Sequence, residues 1–196
     1  APISVHPASH YFVFRGAPFL PITSDHHYGA VINADFDYVA FLDKLKSKGL
    51  NFTRIYPGAY LERGIDFYAG NPLAPRDGRQ ILPWVQTAVT GANAVLGGHK
   101  FDLDAWNEAY FTRLRDFCAK ACDREIIVEI CLFNGMYENR WPYQAMYQQN
   151  NIQGVGTCSW NMVQSLTADP RLLSYQEKYV TEITRRLNRF DNLLFH

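Results

Sequence analysis

The chain has 196 residues, 47% hydrophobic and 15% aromatic, with 19 basic residues balancing 19 acidic ones. That composition excludes a disordered chain, and the zero net charge argues against a basic nucleic-acid-binding surface. No uninterrupted apolar run reaches the roughly 18 residues of a membrane-spanning helix.

Tyr11 to Phe14 and Phe19 to Ile22 are apolar runs separated by Arg15-Gly16-Ala17-Pro18, which predicts a hairpin leading into a first core strand. That strand ends in the polar cluster Thr23-Ser24-Asp25-His26-His27-Tyr28-Gly29. Asp35 is placed to cap a helix with Phe36, Val39, Leu42 and Leu45 on one face, stopped by Lys48 and Gly49. Leu50 to Tyr56 reads as the next strand. Residues 57–100 form a Gly-, Pro- and Asn-rich segment longer than an ordinary connection. Asp102 or Asp104 is expected to open a helix with Trp106, Tyr110, Leu114, Phe117 and Ala121 on one stripe.

Ile126 to Phe133 is apolar apart from Glu129, as expected of a strand covered on both faces. A second long excursion, 134–167, carries Tyr137, Trp141, Tyr143, Tyr147 and Trp160. Asp169-Pro170 then supplies an N-cap and a proline at the first helical position, and Leu172, Tyr179, Ile183 and Leu187 form the apolar face. Asn192 to His196 starts a fourth strand. Alternating strands and helices imply a parallel sheet with right-handed crossovers, in which chemistry sits at the strands' carboxyl ends. Both long segments leave from those ends, whereas the helix-to-strand returns are short.

Arg54 stands out, because a guanidinium within an apolar strand must be paired to offset its desolvation. It shares one face with Phe52 and Tyr56. Two readings are open: it orients a carboxylate at a site, or it makes a structural ion pair with Glu129 or another acid. Asp25, His26 and His27 form a polar cluster after the first strand; adjacent residues of an extended segment point to opposite faces, which disfavours a shared metal and leaves one histidine to donate to a substrate hydroxyl and the other to pack, with a structural role open for each. Asn134 offers a bifunctional amide, or caps its turn with Gly135. Trp141, Tyr143, Tyr137 and Trp160 are either stacking platforms for sugar rings or the loop's own small core. Among the carboxylates Asp25, Glu62, Asp66, Glu129 and Glu138, no pattern singles one out as a general acid or base. Cys118, Cys122, Cys131 and Cys158 read as small buried side chains, with one bridge to a loop cysteine left open.

The ribbon His10 to Phe14 with Gly16 to Phe19, the strand Asn51-Phe52-Thr53-Arg54, the run Lys100 to Asn107 with Tyr110-Phe111, and Ile127 to Phe133 together resemble the amino-terminal half of a clan A glycoside hydrolase, a cellulase-like enzyme. The resemblance implies an α/β TIM (β/α)8 barrel, of which residues 1–196 hold about the first four βα units with an N-terminal β-hairpin, as half of one catalytic domain. A closed barrel of this type typically needs about 250 residues. The implied activity is retaining hydrolysis of a polysaccharide or glycoside. The acid/base glutamate would follow the fourth strand and the nucleophilic glutamate the seventh, both after His196. Asp25, His26, His27, Arg54, Tyr56, Asn134 and Trp141 are the implied substrate-binding residues. No cofactor and no metal ligand set is expected. The implied partners are a carbohydrate and the other half of the barrel, on the same polypeptide or a second chain, with no nucleic acid and no membrane. Family habit implies a secreted or periplasmic location. The Ser24-Asp25-His26-His27 ending departs from the Gly-Asp-Thr type of some relatives. Two rival readings are a non-catalytic carbohydrate-binding half-barrel that dimerises to cover its open edges, and a metal-dependent hydrolase using His26 or His27.

Overall fold

The computed structural model describes residues 2–23, 29–62 and 73–196. The amino-terminal strands β1 (Ser4–Val5), β2 (Phe12–Phe14) and β3 (Ala17–Phe19) form an antiparallel ribbon. The expected hairpin is therefore present with a third strand added. The apolar run from Phe19 divides: Phe19 closes β3, and residues 20–23 turn to run beside β4 (Phe52–Ile55). Thr23 bridges Phe52 in parallel. Asn51 supplies the rest of that seam, since its Oδ1 accepts from the Ile22 N–H at 2.8 Å and its Nδ2 donates to the Leu20 carbonyl at 3.1 Å.

Three strands complete the parallel sheet in the order β4, β7 (Ile127–Ile130), β8 (Leu193–Phe195). Arg54 lies opposite Glu129, and Glu129 opposite Leu194. Successive side chains alternate between faces, so each strand divides cleanly. Ile55, Val128, Ile130 and Leu193 join the main core under the helices, whereas Phe52 and Ile127 cluster with Phe14 and Phe19 of the ribbon. The ribbon thus closes the amino-terminal end of the concave face with aromatic rings, and the polar residues of that face are left toward the carboxyl ends.

Helix α1 (Tyr38–Ser47) buries Leu42 and Leu45. Its cap is Asp37, whose side chain accepts from the Ala40 N–H. Asp35, the expected cap, is instead clasped by Arg76 and Arg79 at 2.8 and 2.6 Å. Both positions carry the same side chain two residues apart, and the salt bridges decide between them. Helix α2 (Glu108–Asp123) buries Tyr110, Phe111, Leu114, Phe117, Cys118 and Ala121, and α3 (Pro170–Leu187) buries Leu172, Tyr179, Ile183 and Leu187. Each large apolar side chain among them contributes roughly 1.5–3 kcal/mol by burial. Asp169 caps α3 with Pro170 at its first position, as expected.

A second correction concerns residues 84–106. They form an antiparallel hairpin, β5 (Trp84–Thr90) and β6 (His99–Trp106), so Asp102 and Asp104 lie in a strand and open no helix. Asn107 is the true cap of α2, accepting from the Ala109 and Tyr110 N–H groups. The alternation of buried Phe101 and Leu103 with outward Lys100, Asp102 and Asp104 is the strand signal that competed with the helix reading.

Candidate functional site at the strand carboxyl ends

Above the aromatic plug, the concave face carries a polar layer. Arg54 Nε donates to Glu129 Oε2 at 2.8 Å, directly across the β4–β7 register, and the guanidinium also bonds to Tyr56. The bond to Glu129 raises the guanidinium above its ordinary value, against the opposing effect of burial. Glu129 is the acid expected under the ion-pair reading of Arg54. Its other oxygen, Oε1, lies 2.9 Å from His196 Nδ1, and Cys131 Sγ lies 3.7 Å from the same nitrogen. Both carboxylate oxygens are therefore engaged, one with Arg54 and one with His196. Cys131 and His196 were missed by sequence reasoning, because their meeting depends on a parallel register. The sequence signal was limited to a lone acid in an apolar run with cysteine two residues on.

The two long excursions meet beyond this layer. Gln144 accepts from the Leu61 N–H at 2.7 Å and donates to the carbonyls of Leu61 and Arg140 at 3.0 and 2.7 Å. Next to it, the buried side chains of Arg140 and Glu62 pair at 3.6 Å, and Tyr60 donates its hydroxyl proton to Glu62 at 3.0 Å. Glu62 is thus part of a seam between the excursions. Asn151 holds the second excursion internally, donating to the Tyr147 and Val155 carbonyls and accepting from the Val155 N–H.

Trp141, expected among the substrate-binding residues, is only 4% exposed. Its ring meets Tyr147 edge-on, its indole N–H donates to the Cys158 carbonyl at 3.0 Å, and Gly156 packs against it. It packs within the loop's own core, the second of the two readings open to it. Gly156 makes the packing possible: at φ +82°, a Cβ there would stand 1.9 Å from the Met146 carbonyl oxygen. Tyr137 and Trp160 are the excursion's exposed aromatics. Asn134 is half-buried just past β7, with its carbonyl accepting from Gln164. Tyr56 is half-buried past the end of β4. Asp25, His26 and His27 lie outside the described residues, as does Asp66. The four cysteines are all free thiols.

No protein-family model matches the sequence, and no curated protein is significantly similar to it. Solved structures do share its fold. A protein from Bacteroides vulgatus assigned to the glycoside hydrolases aligns over 99% of this chain and 31% of its own, with a TM-score of 0.63 at 17% identity. The endo-1,4-beta-mannanase from Rhizomucor miehei aligns over 100% of this chain and 47% of its own, with a TM-score of 0.61 at 13% identity. A glycoside hydrolase family 5 mannosidase from the same organism gives 98% and 45%, a TM-score of 0.56 and 11% identity. The chain spans between about a third and a half of the length of these structures. Its parallel strands, in sequence order with helical crossovers, share the fold of part of these structures.

Proposed function

We propose that this chain supplies the first four strands of a retaining (β/α)8 glycoside hydrolase acting on a β-linked polysaccharide or glycoside, with β-1,4-mannan as the leading substrate. The observation that carries the reading is the polar layer of Arg54 and Glu129, set on neighbouring parallel strands just below their carboxyl ends. The place of chemistry in such barrels supports it, and so does the fold shared with a mannanase and a mannosidase.

In this reading residues 1–196 are half of one catalytic domain, completed by the same polypeptide or a second chain. The two glutamates that cleave the bond lie after His196, the acid/base following the fourth strand and the nucleophile the seventh, spaced at about 5–5.5 Å for retention. This chain's part is binding and orientation. Arg54 and Glu129 hold each other rigidly across the floor, and Arg54 presents a fixed positive charge to the carboxylate that attacks the sugar. Tyr56 and Asn134, with the segment containing Asp25, His26 and His27, offer donors and acceptors to sugar hydroxyls. Tyr137 and Trp160 present rings to pyranose faces. Secretion or a periplasmic location would bring such an enzyme to its polymer.

The test is an assay of the barrel-completed protein on β-1,4-mannan, cellulose and xylan, with the anomer of the first product followed by NMR. The expected result is hydrolysis of mannan with retained configuration. Arg54→Ala should lower kcat/KM by about 10²-fold, the scale of a displaced reacting group, with the fold intact by circular dichroism. Binding without cleavage of any of the three glycans, or an inverted product, would overturn the proposal. The first of these would favour the non-catalytic carbohydrate-binding reading.

A further inference from the structure

Glu129, Cys131 and His196 converge at the carboxyl ends of β7 and β8. The period of two puts Glu129 and Cys131 on the same face. His196 is pinned level with Cys131 by the ladder: its N–H donates to the Ile130 carbonyl at 2.9 Å and its own carbonyl accepts from the Leu132 N–H at 2.8 Å. Their three ligand atoms, a carboxylate oxygen, Sγ and a ring nitrogen, all lie within 4.8 Å of one another. Two of the separations are 2.9 Å, from oxygen to nitrogen, and 3.7 Å, from sulfur to nitrogen. A tetrahedral zinc ion with sulfur at about 2.3 Å and nitrogen or oxygen at about 2.0–2.1 Å spaces its ligand atoms about 3.3–3.6 Å apart.

We propose that Glu129, Cys131 and His196 form a binding site for a divalent cation of borderline softness, zinc being the ion that a thiolate, an imidazole and a carboxylate together select. Three protein ligands leave a fourth position on the concave face. Arg54 acts as the outer partner: by holding Glu129 Oε2 it turns Oε1 toward the site. The inference stands on the β7–β8 ladder and does not depend on the glycosidase reading, because metal binding is read without substrate.

The full chain, free of any affinity tag, is titrated with Zn²⁺ by calorimetry and with Co²⁺ as a spectroscopic probe. One ion per chain is expected, with a thiolate-to-Co²⁺ charge-transfer band in the near ultraviolet. His196→Ala and Cys131→Ser should each weaken zinc binding by about tenfold or more, and Cys131→Ser should abolish the band. The His196 side chain is 70% exposed, so His196→Ala keeps the fold and remains informative if Cys131→Ser does not fold. Cys158→Ser should leave the band in place. Absence of stoichiometric zinc binding, unchanged affinity in folded His196→Ala, a band that survives Cys131→Ser, or a band lost in Cys158→Ser would overturn the site.

Discussion

In the β4–β7–β8 ladder and the helices behind it, main-chain groups satisfy one another, and apolar side chains such as Ile55, Val128, Ile130, Leu114 and Phe117 fill the space between layers. In the second excursion, 134–167, side-chain amides satisfy the main chain instead. Gln144, Asn150 and Asn151 bond to carbonyls of the loop itself, and Gln144 also to Leu61 of the first excursion. The ladder's geometry follows from repeating units, whereas the excursion depends on individual side chains that each satisfy two to four backbone groups. The sheet-and-helix scaffold should therefore fail as a whole, and the excursions one contact at a time.

The sharpest break of this contrast is Phe117→Ala. Phe117 is fully buried in α2 and meets Tyr38 edge-on at 5.6 Å. Its truncation should cost about 3–5 kcal/mol, seen as a lowered urea midpoint that moves equally for every spectroscopic probe. Gln144→Ala comes next, at about 1–3 kcal/mol, because it strands the buried N–H and carbonyl of Leu61. Here hydrogen exchange should quicken at Leu61 while the β7 amides keep their protection. Equal loss of protection in both regions would dissolve the distinction.

Asp169 joins the two regions, capping α3 through the Leu172 N–H while also accepting from the Gly156 and Thr157 N–H groups. Burial pushes its carboxyl up, but the Leu172, Thr157 and Gly156 amides outweigh it and hold the group below its ordinary value. A lowered folded-state value means that its stabilisation is complete above the unfolded value of about 4 and is lost as pH falls through the folded one. Asp169→Ala should cost about 1–2 kcal/mol at neutral pH, with the deficit relative to the parent shrinking in acid. The smallest effect is expected at Asp35, which Arg79 and then Arg76 hold at about 2. Asp35→Asn should lower the neutral-pH midpoint slightly, with the deficit relative to the parent disappearing as pH falls from about 4 to about 2.

How much of this was legible in the sequence follows the same division. The parallel strands and the faces of α2 and α3 were readable because burial repeats with their own period, and Asp169-Pro170 marked a helix start by local chemistry alone. The β5–β6 hairpin was not, since Asp102 and Asp104 mimic helix caps while the alternation of Phe101 and Leu103 speaks for a strand. Glu129 was readable as one partner for Arg54. Its contact with His196, and the approach of Cys131, depend on a register between strands 65 residues or more apart in the chain. The burial of Trp141 turns on Gly156 admitting the Met146 carbonyl, a contact that no periodicity reports.

The central claim is that the concave face around Arg54 and Glu129 is the floor of a sugar cleft. The most direct measurement is an NMR titration of the barrel-completed protein with a β-1,4-linked mannan oligosaccharide, following the side-chain signals of Arg54 and His196. Saturable shifts at both, with the exposed Lys46–Glu125 pair on the opposite end unmoved, are the predicted result. Saturable binding that leaves Arg54 and His196 unshifted, or no binding at all, would contradict it.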